Sequence, residues 1–403
     1  MNHFRIGMNQ DTVQAMNRRL LLFLLREQNL CSRAKLSQLS GLKQATVTNI
    51  INDFISWHLV KETGTLEGKK GRRSIGITIN TDRYLVASIR LARKYAIIAL
   101  FDLNGKIIFK KNIETQSINS PIKVIDIIIK KLKEIIKIYK DKVILGLGIA
   151  IPGPFSTQEE RIALMTENES WKNIAIKEVF ENSLDIPIFF EHDANAGALA
   201  QLWYMQPTLI DRFPEILIYV AAGQGVGAGV LIDGKILKGS IGTAGEIGHT
   251  SINFNGPLCS CGNNGCLEKY SSSIAYLRKI NEKSSNTIVA DLDHAKKLII
   301  EGDFISLQEY KKSVEYLGIG IINLVYSFNP EVIIVGDEMA KFLPDIMLDT
   351  LRKTLKKHVI PEIYNNLTIS LSLTSEDEIL CGGAIVVINQ IFNSPLDFIS
   401  EYI

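Results

Sequence analysis

Three of the five cysteines in this 403-residue chain crowd into one short loop, as Cys259, Cys261 and Cys266, and His249 lies ten residues upstream in Glu246-Ile247-Gly248-His249. Three thiolates and one imidazole complete a tetrahedral zinc set, and a closed set leaves no position for substrate, so such an ion would be structural. The competing readings are a disulfide, disfavoured in a reducing compartment, or three incidental buried thiols, which this density disfavours. Cys31 and Cys381 stand alone and read as small core residues.

A second stretch able to do chemistry is Gly223-Gln224-Gly225-Val226-Gly227-Ala228-Gly229, which follows the apolar run Ile216 to Ala222. Without side chains the backbone N–H groups can approach a ligand or another backbone closely. Taken alone, the loop is as consistent with a packed hairpin as with a phosphate cradle. A third is Gly68-Lys69-Lys70-Gly71-Arg72-Arg73, where four cations between glycines suit phosphates or a narrow minor groove.

These residues need elements to hold them. The basic cluster closes an N-terminal region in which Leu20, Leu21, Phe23, Leu24 and Leu25 suit one helix buried on a wide face. Ser32 can cap a second helix that runs to Gly41, whose tolerance of positive φ permits the sharp turn of a helix-turn-helix. In the third helix Val47, Ile50, Ile51 and Phe54 form the buried stripe, so Ala45, Asn49 and Asn52 point outward with Thr48 at their flank. Small and amide side chains on such a face can read base edges in a major groove, and Lys43, Gln44 and Thr46 begin the same helix. Strands are expected at Leu59 to Thr63 and Ser74 to Asn80, making the basic cluster the tip of a wing. A plain three-helix bundle is the alternative. Residues 1–80 carry 12 Lys/Arg against 5 Asp/Glu, while the rest carry 33 against 38, the charge layout of a nucleic-acid module joined to a mildly acidic body.

Beyond residue 80, strand and helix patterns alternate. A hairpin turn is expected at Asp102-Leu103-Asn104-Gly105, a helix over Val124 to Tyr139, and buried strands at Val143 to Ile151 and Val332 to Val335. The alternation indicates α/β layering. Hydrophobic residues at 46% and charged residues at 22% fit a folded globular chain rather than a disordered or fibrous one. No apolar run is long enough to span a bilayer and no signal peptide pattern opens the chain, so the cytoplasm is the expected compartment.

Together, the winged helix ending in Gly71-Arg72-Arg73, the glycine loop, the Glu246/His249 pair and the Cys259-x-Cys261-Gly-x-x-Gly-Cys266-x-Glu268 box resemble the ROK family. That family groups bacterial sugar kinases with repressors of sugar genes, such as the xylose and N-acetylglucosamine repressors. The resemblance covers nearly the whole chain. It implies an actin-like, ribonuclease-H-like two-lobed fold with a sugar cleft between the lobes, and homodimers or higher oligomers. It also implies a winged helix-turn-helix at 1–80, a small lobe at 81–190, and a large lobe at 191–403 whose C-terminal helix returns to the small lobe.

Family kinases hold ATP phosphates and metal with an Asp-x-Gly-Gly-Thr loop, where this chain has Arg90-Leu91-Ala92-Arg93-Lys94. The glycine run that usually lies beside the nucleotide is here Gly336-Asp337-Glu338, which would crowd and repel a polyphosphate. The resemblance therefore implies a sensor rather than a kinase, since phosphoryl transfer depends on positioned phosphates and metal. The sugar side is retained: Asn168 and Trp171 match an Asn-x-x-Trp segment, and Asp193 stands where kinases keep their general base. His192 replaces a common Asn, while Glu246, His249 and Glu268 complete the implied sugar contacts, His249 also ligating zinc. The implied function is a sugar- or sugar-phosphate-responsive repressor acting on an operator in double-stranded DNA. A kinase with an accessory DNA-binding domain, and a docking platform for a transport-system protein, are the alternatives.

Overall fold

The structure, a computed structural model, describes residues 9–66, 74–118, 120–153, 155–156, 161–162, 170–171, 174–205, 213–283 and 288–403. The cations expected at a wing tip, Lys69, Lys70, Arg72 and Arg73, and the expected sugar contact Asn168 lie outside the described residues.

The chain opens with three helices, α1 (Gln10–Gln28), α2 (Arg33–Ser40) and α3 (Gln44–Ser56), followed by an antiparallel pair, β1 (Val60–Leu66) and β2 (Ser74–Ile79). Ser32 caps α2 by accepting from the Lys35 N–H at 3.2 Å, and Gly41 ends the helix at φ +71, a conformation glycine adopts without strain. Leu21, Leu22, Leu25, Leu36, Val47, Ile50, Ile51 and Phe54 form its core. One expectation fails here: Leu20, assigned to the buried face of α1, is exposed. The helix starts at Gln10, well before the expected apolar segment, and in this register Leu20 faces away from the Leu21/Leu25 stripe. Phe23 turns instead toward the rest of the molecule, edge-on to Phe392 with centroids 5.5 Å apart.

Two five-stranded sheets follow, and they share one topology. In the first, the order is Ile107–Glu114, Tyr95–Asp102, Tyr84–Leu91, Val143–Ile151, Ile188–His192; the first three strands are antiparallel and the last two join in parallel. In the second, Lys235–Ile236, Val226–Ile232, Ile216–Ala222, Val332–Gly336 and Thr368–Leu371 repeat that arrangement. The central parallel strands Val143–Ile151 and Val332–Gly336 are almost wholly buried, as their unbroken apolar runs require.

Two helices run between the sheets, Asp193–Tyr204 and Glu378–Asn393. The second packs on strands Tyr84–Leu91 and Val143–Ile151 of the first sheet, and its glycines set the spacing. A side chain at Gly382 would overlap the Ala196 carbonyl, and one at Gly148 the Gly383 carbonyl. Among the described residues no single helix is long and apolar enough to cross a membrane, and Glu378–Asn393 is a core helix.

Candidate functional site: an interlobe cleft, a cysteine loop and an exposed helix face

The carboxyl ends of strands from both sheets converge on one cleft, the location where open α/β sheets hold ligands. The first sheet contributes Arg90 to Arg93 from the end of Tyr84–Leu91, Pro152 and Gly153 after Val143–Ile151, and His192 with Asp193. The second contributes the turn Gln224 to Gly227, and Glu246, His249, Glu268, Asp337 and Glu338 close the cavity.

His192 is central. Its Nε2 lies 3.2 Å from an Asp193 carboxylate oxygen and 3.6 Å from Glu246 Oε1. Burial pushes Glu246 up to about 7, with Asp193 adding to the effect and His192 opposing it; burial also raises Asp193. His192 Nδ1, Glu246 Oε1 and Gln224 Oε1 are buried without a hydrogen-bond partner. Such orphans are costly, and a polyhydroxylated ligand supplies the missing donors and acceptors. Glu268 accepts from the Val226 N–H at 3.2 Å. Five of the six expected sugar contacts, His192, Asp193, Glu246, His249 and Glu268, thus line one cavity. Trp171 is instead a core residue packed in the cluster with Ile176 and Phe180.

The glycine loop resolves as a hairpin: Ala222 pairs with Val226, and the turn between them packs against the chain's own side chains. A Cβ at Gly223 would overlap the Asp337 carboxylate, and one at Gly225 would come within 2.8 Å of Glu268 and 2.9 Å of Arg93. Asp337 also requires a correction. Its carboxylate does not project as a free charge to repel phosphates; it accepts from Arg90 at 2.7 Å. Arg90 also donates to Asp377 at 2.6 Å. Burial would pull the guanidinium down, but the two carboxylates outweigh it and hold Arg90 well above its ordinary value. Arg93, three residues on, donates to the Gln224 carbonyl at 3.0 Å and approaches Glu268 at 3.4 Å. Sequence reading registers both arginines only as lost phosphate-binding residues. Their partners are distant in sequence, and no local signal reports them.

The cysteine loop fits a metal ion. One ligand atom from each of His249, Cys259, Cys261 and Cys266 lies within 4.8 Å of all the others. His249 Nδ1 stands 3.6 Å from the Cys259 sulfur, and the Cys261 and Cys266 sulfurs are also 3.6 Å apart. With Zn–S and Zn–N bonds of about 2.3 and 2.0 Å, tetrahedral edges of roughly 3.5 to 3.8 Å follow, which those separations match. Burial lowers His249, favouring the neutral imidazole that a metal needs. Since His249 also lines the cleft, loop and cavity share one side chain.

At the N-terminal end, Gln44, Ala45, Asn49 and Asn52 are exposed on α3 and Lys43 is exposed immediately before it, with Thr46 and Thr48 half-buried beside them. The Thr48 hydroxyl donates back to the Gln44 carbonyl at 2.9 Å, and Asn52 accepts from Arg33 at 3.2 Å. Arg33 also pairs with Glu62 of β1 at 2.8 Å, tying helix to hairpin.

A family model described as ROK family matches residues 86–390. The xylose repressor of Caldicellulosiruptor bescii is 30% identical over 400 residues, covering 96% of this chain and 99% of that protein. Among solved structures, a ROK family transcriptional regulator, homolog of the E. coli MLC protein, superimposes with a TM-score of 0.77 at 24% identity, over 96% of this chain and 99% of its own. A ROK family glucokinase from Streptomyces griseus, in complex with glucose and AMPPNP, gives a TM-score of 0.65 at 21% identity, over 75% of this chain and 98% of its own. The kinase fold therefore accounts for three quarters of the chain, and the regulator fold for nearly all of it.

Proposed function

Since this chain belongs to the ROK family, we propose that it is a transcriptional repressor of carbohydrate-utilisation genes, acting in the cytoplasm, whose grip on operator DNA is set by a sugar or sugar phosphate in the interlobe cleft. The observation that carries the reading is the union in one chain of two features: a three-helix module with an exposed amide-bearing face on α3, and a cleft whose buried His192, Glu246 and Gln224 atoms have no partner. The module would dock α3 in a major groove, through Gln44, Ala45, Asn49 and Asn52 with Lys43, Thr46 and Thr48 beside them. Lys69, Lys70, Arg72 and Arg73 would take phosphates or the adjacent minor groove. His192, Asp193, Glu246, His249 and Glu268, with Asn168, would hold the sugar. A homodimer would present two such helices to a near-palindromic site. The xylose repressor among the relatives makes pentoses the first class to test.

Zinc at His249, Cys259, Cys261 and Cys266 would be structural and would fix the rim of the cleft through His249. We assign no phosphoryl transfer to the protein, because Arg90 is consumed by Asp337 and Asp377 where kinases of the family keep a phosphate and metal loop. The alternative, a kinase with an accessory DNA-binding module, predicts ATP-dependent turnover of a hexose or pentose.

Gel-shift titration tests the central claim. On a fragment carrying the chain's own promoter, the wild-type protein should bind and be released by a sugar, whereas Asp193→Ala should bind equally well and resist release. Release of Asp193→Ala at the wild-type sugar concentration would remove the cleft as the sensor and favour the docking-platform reading.

A further inference from the structure

Arg90 and Arg93 both leave the same strand end in the first lobe; Arg93 reaches the second lobe at Gln224 and Glu268, and Arg90 reaches it at Asp337 while also pairing with Asp377, the cap of the helix between the sheets. Arg90 is saturated: two carboxylates at 2.7 and 2.6 Å hold the guanidinium of a residue that is 6% exposed. A buried charge so paired is expensive to break, since separation leaves three ions without partners. Arg93 is held differently. Its contact with the Gln224 carbonyl is a good hydrogen bond at 3.0 Å, but its approaches to the two Glu268 oxygens are long, at 3.5 and 3.4 Å. The cavity remaining between the lobes is about 50 Å³. That is room for no more than a few waters.

We propose that Arg93 is a positioning residue that latches the cleft by occupying Glu268, and that a sugar must displace it to enter, while Arg90 remains as the fixed pin about which the lobes adjust. The proposal rests on the reading of this cleft as the sugar site. The asymmetry between the arginines carries it: one is over-satisfied and permanent, the other is weakly paired to a carboxylate that a sugar would use. Exchanging Arg93 for ligand hydroxyls leaves Glu268 satisfied in both states, so the penalty for opening is small. Part of the intrinsic affinity is spent on the latched population, as for any site competent in only a fraction of molecules.

The test uses the full-length protein and two readouts. Without sugar, amide hydrogen exchange in peptides covering 221–227 and 264–272 should be at least about fivefold faster in Arg93→Ala than in wild type, because local opening no longer breaks the latch. With D-xylose and D-glucose as calorimetric probes, Arg93→Ala should bind whichever sugar the wild type binds at least about threefold more tightly. Arg93→Lys, which can reach Gln224 or Glu268 but not both, should fall between; it also serves as the variant if Arg93→Ala does not fold. Unchanged exchange in both variants overturns the latch, as does weaker sugar binding in Arg93→Ala, which would make Arg93 a direct ligand contact. If neither sugar binds any form while exchange accelerates as stated, the latch stands and the choice of sugar in the proposed function fails.

Discussion

At the scale of single residues the cleft is governed by charges held away from water. Glu246 titrates at about 7 in the folded protein against an ordinary 4.5, chiefly because burial disfavours its anion. A carboxyl raised on folding contributes stability that is fully present below its unfolded value and is lost as pH climbs through its folded one. Urea unfolding at pH 5 and at pH 8 should therefore show wild type losing stability across that window and Glu246→Gln losing less, the amide being neutral throughout. Equal losses would mean that Glu246 is ionised in the fold. The cysteine loop yields a second expectation at this scale. Cys261→Ser removes one of four tetrahedral ligands, so the purified variant should fall clearly below the one zinc per chain expected of wild type by metal analysis. It should also melt earlier, because binding free energy at a structural site is folding free energy. Wild type without stoichiometric zinc, or a variant that keeps it, would refute the assignment. Both expectations start from residue types that stand out in the sequence. Gln224 does not, since its importance comes from a buried amide oxygen without a partner.

At the scale of elements, the helix Glu378–Asn393 decides how closely the sheets and the Asp193–Tyr204 helix approach. Gly382 and Gly383 lie in its first half and show competing effects. Alanine is intrinsically better than glycine inside a helix by about 1 kcal/mol. A Cβ at Gly382, however, would overlap the Ala196 backbone carbonyl, and overpacking costs about 1–3 kcal/mol. The obstacle is backbone rather than a flexible side-chain tip, so the clash should win. Gly382→Ala is expected to lower the midpoint of thermal unfolding, and a raised midpoint would show that the two helices can separate without penalty. Much of this level was legible from patterning. The strands Val143–Ile151 and Ile216–Ala222 fall where continuous apolar runs place them, and α2 is bounded by the expected serine and glycine. The start of α1 was not, because the segment from Gln10 is mostly polar, its few apolar residues Val13 and Met16 are exposed rather than packed, and its helix is fixed by the Asn9 cap at 2.8 Å and by packing further along.

At the scale of the whole molecule, repeated sheet topology gives two lobes with a cleft between them, and the three-helix module sits against the helix that joins them. Phe23 meets Phe392, and the Arg26 guanidinium lies 3.6 Å from the centroid of the Trp203 ring while bonding its carbonyl. Any shift of the lobes would thus reach α1 directly. By linkage, a sugar that weakens operator binding must bind the DNA-bound protein more weakly by the same factor, a check open to calorimetry once a sugar is identified. The same architecture bears on phosphoryl transfer. With Arg90 held between Asp337 and Asp377 in the cleft, a coupled assay with ATP and common hexoses or pentoses should show no turnover on the scale of about 1–1000 per second typical of enzymes. Turnover in that range would restore the kinase reading.

The sequence by itself determined whatever depends on residue type and short spacing. That includes a His/Cys3 set able to hold a metal ion, because Cys259, Cys261 and Cys266 are close along the chain, a helix face bearing Asn49 and Asn52, because helical periodicity is local, and the membership suggested by those motifs together. Only the tertiary structure decided what the segment Arg90 to Lys94 does. Arg90 and Arg93 lie 247 and 175 residues from Asp337 and Glu268, and charge pairing acts through space, so nothing in the order of residues could disclose that this segment ties one lobe to the other.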